Sequence, residues 1–218
     1  MKNMNRFTTI DTNADLDRGI AALGDVEPVF ADVFAQTGRP PLRRRQGGFE
    51  GLLSIVVAQQ VSRASADAIW SRVVENLAPI TAERFADLGE DDLRGVGLSG
   101  PKIRTTFSVT DAVMRGALDF ASLGGLEDED VMARLTAIKG IGPWTAEIYL
   151  LACLGRADSW PAGDLAIQVA VGEAFGLDGR PDAKSLRRFS EPWAPWRGVA
   201  ARLLWAYYAL KRSRDVAP

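Results

Sequence analysis

The amino-acid sequence predicts an all-α protein. Apolar residues recur at helical spacing along most of the 218-residue chain, as they do in Ala66, Ile69, Val73 and Leu77. No stretch alternates apolar and polar side chains in the way that a half-buried strand would. The chain is long enough to bury one large core or two small ones, and 47% of its residues are hydrophobic, as in ordinary globular proteins.

Two helices are expected before residue 40. Thr12 or Asn13 is a suitable N-cap for a helix that runs to Leu23, where Gly24 would end it. A second helix would run from Val26 to Gln36 and end at Gly38, before the Arg-Pro-Pro segment. The arginine-rich loop that follows is a candidate domain boundary.

The middle of the chain predicts further helices with two informative turns. A buried helix is expected over Phe49–Gln60, and Ser62 would cap the next one. Gln60 lies at this junction, where the local pattern makes it a possible helix cap. Pro101 opens another helix, with Lys102 in its first turn, where a helix N-terminus beside a lysine suits an anion. An ordinary exposed helical turn is the alternative for Lys102.

The segment IKGIGPWTAEIYLL predicts two helices joined by a tight glycine turn. Gly140 and Gly142 flank Ile141, and glycine permits positive φ and a close approach of another backbone. Pro143 follows at the first helical position, where its missing N–H has no cost. Amides at the head of such a helix can bind one phosphate of a nucleic-acid backbone. A purely structural αα-hairpin is the alternative.

Asp164 is expected to start a helix that runs to about Phe175. As an N-cap it would accept hydrogen bonds from main-chain amides, which favours the charged carboxylate. Whether it is more than a cap does not follow from this local pattern. A last helix would run from Trp196 to about Lys211 and carry Trp205.

Two absences in the sequence exclude several kinds of chemistry. The chain has no histidine, which removes Ser-His-Asp triads, histidine bases and zinc sites of the usual kind. Its single cysteine, Cys153, cannot build a disulfide framework or a four-cysteine iron–sulfur cluster. We therefore expect no iron–sulfur cluster, no zinc and no cofactor for catalysis.

The hairpin string, followed some twenty residues later by PAGDLAI, resembles the helix–hairpin–helix DNA glycosylase superfamily. Within it, the chain is most similar to the 3-methyladenine DNA glycosylase II family, in a short form without the N-terminal α/β region. The resemblance runs from about Gly48 to Tyr208. It implies two helical lobes, residues 1–47 plus 158–218 and residues 48–157, with the active cleft between them and the hairpin motif in the second.

The resemblance also implies a role for each site residue. Asp164 would be the catalytic carboxylate, and Trp144 and Trp205 would be walls of the base pocket, although both tryptophans could instead be core residues. Gln60, with Val61 close by, would fill the gap left by an extruded base. The residues that would contact the DNA backbone are Gly140, Ile141, Gly142, Lys139 and Lys102.

Relatives that also cut the strand carry a lysine nucleophile just inside the helix after the hairpin, where this chain has Trp144. The resemblance thus implies a monofunctional enzyme that excises alkylated purines from duplex DNA by base flipping and leaves an abasic site. It also implies a structural Na⁺ or K⁺ held by the main-chain oxygens of Thr136, Ile138 and Ile141. Main-chain ligands leave no side-chain pattern in a sequence.

The formal net charge of −2 is unusual for a DNA-binding protein, so we expect phosphate contacts to be few and local. The polar start of the chain lacks a signal-peptide core, and no apolar run approaches a membrane span. We expect a cytoplasmic, nucleoid-associated monomer whose partner is damaged double-stranded DNA. Two other functions stay open: a non-enzymatic helix–hairpin–helix binding module, and a glycosylase for a deaminated base.

Overall fold

The structure is a computed structural model that describes residues 7–214, and within that range it contains thirteen α-helices and no strand. They are α1 (Asn13–Val26), α2 (Val29–Thr37), α3 (Gly48–Ala58), α4 (Arg63–Leu77), α5 (Ala82–Ala86), α6 (Glu90–Gly95), α7 (Gly100–Met114), α8 (Phe120–Leu123), α9 (Asp128–Thr136), α10 (Pro143–Ile148), α11 (Leu165–Ala174), α12 (Ala183–Phe189) and α13 (Arg197–Arg214). A π-helical segment, Tyr149–Leu154, continues α10. The predicted all-α class is confirmed.

The helix starts follow from their caps. Thr12 and Asp15 form a reciprocal capping box at the start of α1. The predicted end of this helix at Gly24 was wrong, because a single glycine near a helix end is tolerated and α1 continues to Val26. Pro28 then forces a new start, since proline has no N–H to continue the helical ladder.

Contacts within the chain define two compact units. The first comprises the chain up to Arg44 and from Leu154 onward, and the second is Arg45–Cys153. The unit boundaries predicted from the sequence lie near residues 47 and 157.

The first unit is built from α1, α2, α11, α12 and α13 around one apolar core. The most extensive packing is between α11 and α13, which brings the start of α11 beside the middle of α13. Phe30 and Trp193 pack edge to face in this core, with ring centroids 4.9 Å apart. Burial of this apolar surface therefore fixes the helix that follows Asp164.

The second unit contains α3 to α10, and α3 is its central helix. Residues on all sides of α3 are buried, including Leu52, Leu53, Ile55, Val56 and Val57. It packs against α4, α7, α8 and α10, and such an all-round apolar helix is expected at the centre of a bundle. The C-terminal end of α3 is consequently held in place by the surrounding helices.

Across residues 7–214, no helix combines the length and the apolar character that crossing a bilayer requires. The first six residues, which include most of the polar start noted in the sequence, lie outside the described range.

Candidate functional site

Asp164 is the N-cap of α11, as the sequence predicted. One carboxylate oxygen, Oδ1, accepts hydrogen bonds from the main-chain amides of Ala166 at 3.0 Å and Ile167 at 3.1 Å. The preceding loop is held by the Gln168 amide side chain, which donates to the carbonyl of Ala162 at 2.8 Å. The two amides orient the carboxylate. Asp164 is only partly buried, so a ligand can reach it.

Trp205 lies on α13 beside this cap. Its indole Nε1–H donates to the same Oδ1 of Asp164, at 3.2 Å. The guanidinium of Arg43 lies over the Trp205 ring, 5.9 Å from the centroid. The sequence pointed to Asp164 and Trp205 separately, and the structure brings them into direct contact through the packing of α11 on α13. Three donors therefore converge on one oxygen of the Asp164 carboxylate.

The predicted hairpin joins α9 to α10. Gly140 has φ +93°, and a Cβ at this position would be 2.0 Å from Oγ1 of Thr105, so only glycine fits there. Ile141 is 4% exposed and anchors the turn, and its amide donates to the carbonyl of Ile138 at 3.0 Å. Gly142 has φ −95° with no atom within 4 Å of a Cβ, so the expected need for glycine holds at Gly140 alone.

Helix α10 opens at Pro143 as predicted, and Gly142 is its N-cap without a capping side chain. In residues 7–214, neither the Gly140 nor the Gly142 amide donates a hydrogen bond to another group of the protein. Lys139 beside them is exposed. Trp144, one residue inside α10, is partly buried. Accessible amides, a lysine and an aromatic side chain thus occur together at the head of one helix.

The α3–α4 junction was predicted to carry the DNA-engaging residue. Gln60 is exposed and has φ +54°, a left-handed conformation that costs a non-glycine residue about 1 kcal/mol or more. Val61 is 39% exposed. The alternative that Gln60 caps α3 is incorrect, because the C-cap is Gln59. An exposed, strained turn is typical of functional sites.

Gln59 is a residue that the sequence analysis missed. Its side-chain Nε2 donates to Oγ1 of Thr145 at 2.9 Å and approaches the carbonyl of Gly140 at 3.5 Å. It therefore ties the exposed turn to the hairpin. The position of Gln59 near a predicted helix end was the one available sign of a role. The contact itself could not be predicted, because no local pattern pairs a glutamine with a threonine 86 residues later.

The prediction that Lys102 contacts a DNA phosphate must be corrected. Lys102 is only 7% exposed, and its Nζ donates to the main-chain carbonyl of Val57 at 2.7 Å. Burial lowers the pKa of the Lys102 ammonium group. The first turn of α7 packs against the end of α3, so the side chain points into the second unit instead of into solvent.

The residues proposed for a monovalent cation lie at the end of α9 and in the hairpin. The Ile138 carbonyl accepts the Ile141 amide, and a carbonyl oxygen has a second lone pair for a further ligand. The hydroxyl of Thr136 donates to the carbonyl of Met132 at 2.7 Å. These carbonyls are compatible with a hard cation such as Na⁺ or K⁺.

The fold and these features define a class: an all-α protein with a helix–hairpin–helix motif and an accessible aspartate at the start of a later helix. The model of the HhH-GPD superfamily of base excision DNA repair proteins matches residues 53–195, and the chain belongs to this family. The chain is 34% identical over 161 residues to DNA-3-methyladenine glycosylase 1 of Schizosaccharomyces pombe, covering 72% of this chain and 71% of that protein.

Two further comparisons agree with this family. YfjP of Bacillus subtilis is 28% identical over 181 residues, covering 79% of this chain, and the chain spans 63% of that protein's length. The solved structure of the S. pombe 3-methyladenine DNA glycosylase Mag1, in complex with abasic DNA, has a TM-score of 0.80. That match has 29% identity and covers 86% of this chain and 95% of Mag1.

Proposed function

We propose that the protein is a DNA glycosylase that hydrolyses the N-glycosidic bond of alkylated purines of the 3-methyladenine type in duplex DNA. The observation that carries the proposal is the Asp164 carboxylate, oriented by two amides and by Trp205 in a family of base excision repair proteins. The S. pombe relative is named a DNA-3-methyladenine glycosylase, and the structure of Mag1 is solved in complex with abasic DNA.

The proposed reaction begins with extrusion of the damaged nucleotide, which costs a few kcal/mol of lost stacking and pairing. The accessible amides of Gly140 and Gly142 would bind a backbone phosphate, with Ile141 anchoring the turn and Lys139 adding a positive charge. The exposed turn at Gln60 and Val61 would fill the gap in the stack. Each contact makes the extruded state less costly.

Cleavage of the N-glycosidic bond then builds positive charge on the deoxyribose. A carboxylate held in place by preformed hydrogen bonds stabilises that charge without reorganising during the reaction, which gives Asp164 its proposed catalytic role. Water completes the hydrolysis. An alkylated purine with a positive charge is a good leaving group, so the reaction needs no protein group to protonate it.

Two tryptophans are proposed to select the substrate. An indole face attracts a cationic base by about 0.5–2 kcal/mol, and the partly buried rings of Trp144 and Trp205 are suited to this. Trp144 also occupies the position where strand-cutting relatives carry a lysine, so no Schiff base would form there. We therefore propose a monofunctional enzyme that leaves an abasic site.

A monovalent cation at the carbonyls of Thr136, Ile138 and Ile141 belongs to the same proposal, and when bound it would supply positive charge beside a DNA phosphate. Catalysis itself needs no cofactor in this scheme. Action on chromosomal DNA would place the protein with the nucleoid in the cytoplasm.

The test is release of free base from methylated duplex DNA by wild type and by Asp164→Asn. Asparagine is as good an N-cap as aspartate, so the variant should fold, which circular dichroism checks. We expect wild type to release 3-methyladenine and the variant to lose at least about 10²-fold in rate. Binding without any release of alkylated base would favour a binding module, and release of uracil or hypoxanthine instead would favour a glycosylase for deaminated bases.

A further inference from the structure

The first two turns of α7 contact the end of α3, which leads into the Gln60 turn, and they also contact the hairpin. On one side, the Lys102 ammonium group donates to the carbonyl of Val57 in the last turn of α3. On the other side, Thr105 fills the space that a side chain at Gly140 would need, so α7 packs directly against the hairpin. One short stretch of helix therefore touches the element that leads into the Gln60 turn and the element that carries the hairpin.

The hydrogen bond from Lys102 to Val57 satisfies a carbonyl at a helix end. The last four carbonyls of a helix have no partner within it, and together they carry the negative end of the helix dipole. The chain cannot supply a donor to Val57, because it turns away at Gln59 and passes through the left-handed conformation of Gln60. A lysine from a different helix satisfies this carbonyl instead, at 2.7 Å.

The charge of Lys102 has an energetic cost that packing alone does not explain. Burying an ammonium group is unfavourable unless its hydrogen bonds and nearby charges compensate, and an apolar side chain of similar size usually fills such a space at lower cost. Lys102 is 7% exposed, and the C-terminus of α3 is the compensating partner of its ammonium group. Lysine at this position thus gives the α3 terminus a directional link that an apolar residue would not provide.

We propose that Lys102 is a positioning residue that holds the Gln60 turn in register with the hairpin by fixing the end of α3. It acts through the main chain of Val57 and does not touch DNA. The link from Gln59 to Thr145 joins the same turn to the head of α10, so the turn is attached to the unit at two points. This inference rests on the proposed function, because it concerns how the enzyme handles a paired substrate.

If Lys102 positions the Gln60 turn, replacing it should slow base release from duplex DNA more than from single-stranded DNA. A residue that only stabilises the fold would affect all substrates equally, whereas a correctly placed Gln60 turn matters when a base has to leave an intact duplex. We expect Lys102→Met to slow single-turnover base release from a methylated duplex by about tenfold or more, since small misplacements far from the reacting atoms have effects of that size. Release of the same lesion from a single strand should be nearly unchanged.

Two further variants make the comparison specific. Gln60→Ala removes the side chain at the turn and should reproduce the duplex-selective loss. The double variant Lys102→Met/Gln60→Ala should be no slower than the slower single variant, because both changes act on one element. Arg115→Met is the matched control, since it removes a positive charge from the exposed far end of α7, where Arg115 pairs with Asp111.

Fluorescence of 2-aminopurine placed beside an abasic site provides a second readout that does not need catalysis. Wild type should change the stacking signal on binding, and Lys102→Met should change it less at saturating protein. If circular dichroism shows that Lys102→Met is unfolded, Lys102→Gln replaces it, because glutamine keeps a neutral donor at the site.

The inference is overturned if Lys102→Met matches wild type on the duplex, if it loses the same factor on duplex and single strand, or if its effect multiplies with that of Gln60→Ala. A wild type that releases no base from either substrate would refute the proposed function instead. In that case the 2-aminopurine signal still decides whether Lys102 positions the turn, since it reports binding alone.

Discussion

The indole N–H of Trp205 donates to the carboxylate of Asp164 across 3.2 Å, on the same oxygen that caps α11. The two residues lie 41 positions apart in the chain, and the packing of α11 against α13 brings them together. Trp205 is proposed as a wall of the base pocket, and the edge of its ring also orients the proposed catalytic group.

Replacing Trp205 by phenylalanine separates these two roles. Phenylalanine keeps an aromatic face but loses the donor, and a hydrogen bond to a charged group is worth about 1.5–3 kcal/mol. We expect Trp205→Phe to slow base release by about tenfold or more and to lower the melting temperature by roughly a few degrees, because the same hydrogen bond also stabilises the folded protein. Trp196→Phe is the control, since Trp196 packs in the same unit against Gly19. An unchanged rate for Trp205→Phe would show that the hydrogen bond has no part in catalysis.

The two hairpin glycines should respond differently to alanine. Gly140→Ala puts a Cβ 2.0 Å from Thr105 at φ +93°, so we expect a loss of about 1–3 kcal/mol in the free energy of unfolding, together with weaker DNA binding. Gly142→Ala meets no atom within 4 Å and has an ordinary φ, so its unfolding should match that of wild type. Urea denaturation and fluorescence anisotropy with duplex DNA measure both quantities. Equal destabilisation by the two changes would contradict the contact between α7 and the hairpin.

Thr145 should stabilise the second unit through its hydroxyl. Its Oγ1 accepts the Gln59 side chain at 2.9 Å, and Thr145 is 2% exposed. Thr145→Val keeps the shape but leaves Gln59 without this acceptor, so we expect to lose about 1 kcal/mol in urea denaturation. Thr110→Val is the control because the buried Thr110 hydroxyl bonds only the carbonyl of Thr106 within its own helix. If Gln59→Ala and Thr145→Val are fully additive in the double variant, the two side chains are not coupled.

Tyr149 replaces a missing helix cap. Gly47, the N-cap of α3, has no side-chain acceptor, and the hydroxyl of Tyr149 accepts the Gly48 amide at 2.9 Å instead. Burial raises the pKa of Tyr149, so this hydroxyl stays neutral over the accessible pH range. Tyr149→Phe should lower the free energy of unfolding by about 1 kcal/mol, because a partly buried amide loses its partner. Tyr207→Phe, in the core of the other unit, should cost less. Similar losses for the two variants would argue against this cap.

Most of the fold could be predicted because its signals are local. Thr12, Ser62 and Asp164 each cap the helix that the sequence assigned to them, and Pro143 opens α10. The all-α class follows from the helical periodicity of the apolar residues, as in α4.

The site was less predictable where a side chain acts at long range. Lys102 stands in a helical first turn that looks exposed in the sequence, and only the position of α3 shows that the lysine is buried against Val57. The contacts of Gln59 with Thr145 and of Trp205 with Asp164 likewise depend on packing between distant helices. The predicted turn between the two helices is present. Of its two glycines, however, only Gly140 adopts the positive φ that was the reason for expecting glycine.

Three donors converge on one oxygen of Asp164, so the hydrogen bonds that support the fold do not depend on the negative charge proposed for catalysis. Asparagine would keep that oxygen and every bond it accepts, while its amide nitrogen would remove the negative charge. Under the proposed catalytic role of Asp164, a single nucleotide change from an aspartate codon to an asparagine codon would yield a protein that folds and binds damaged bases without excising them. A lesion-shielding protein would then lie one mutational step from the proposed repair enzyme.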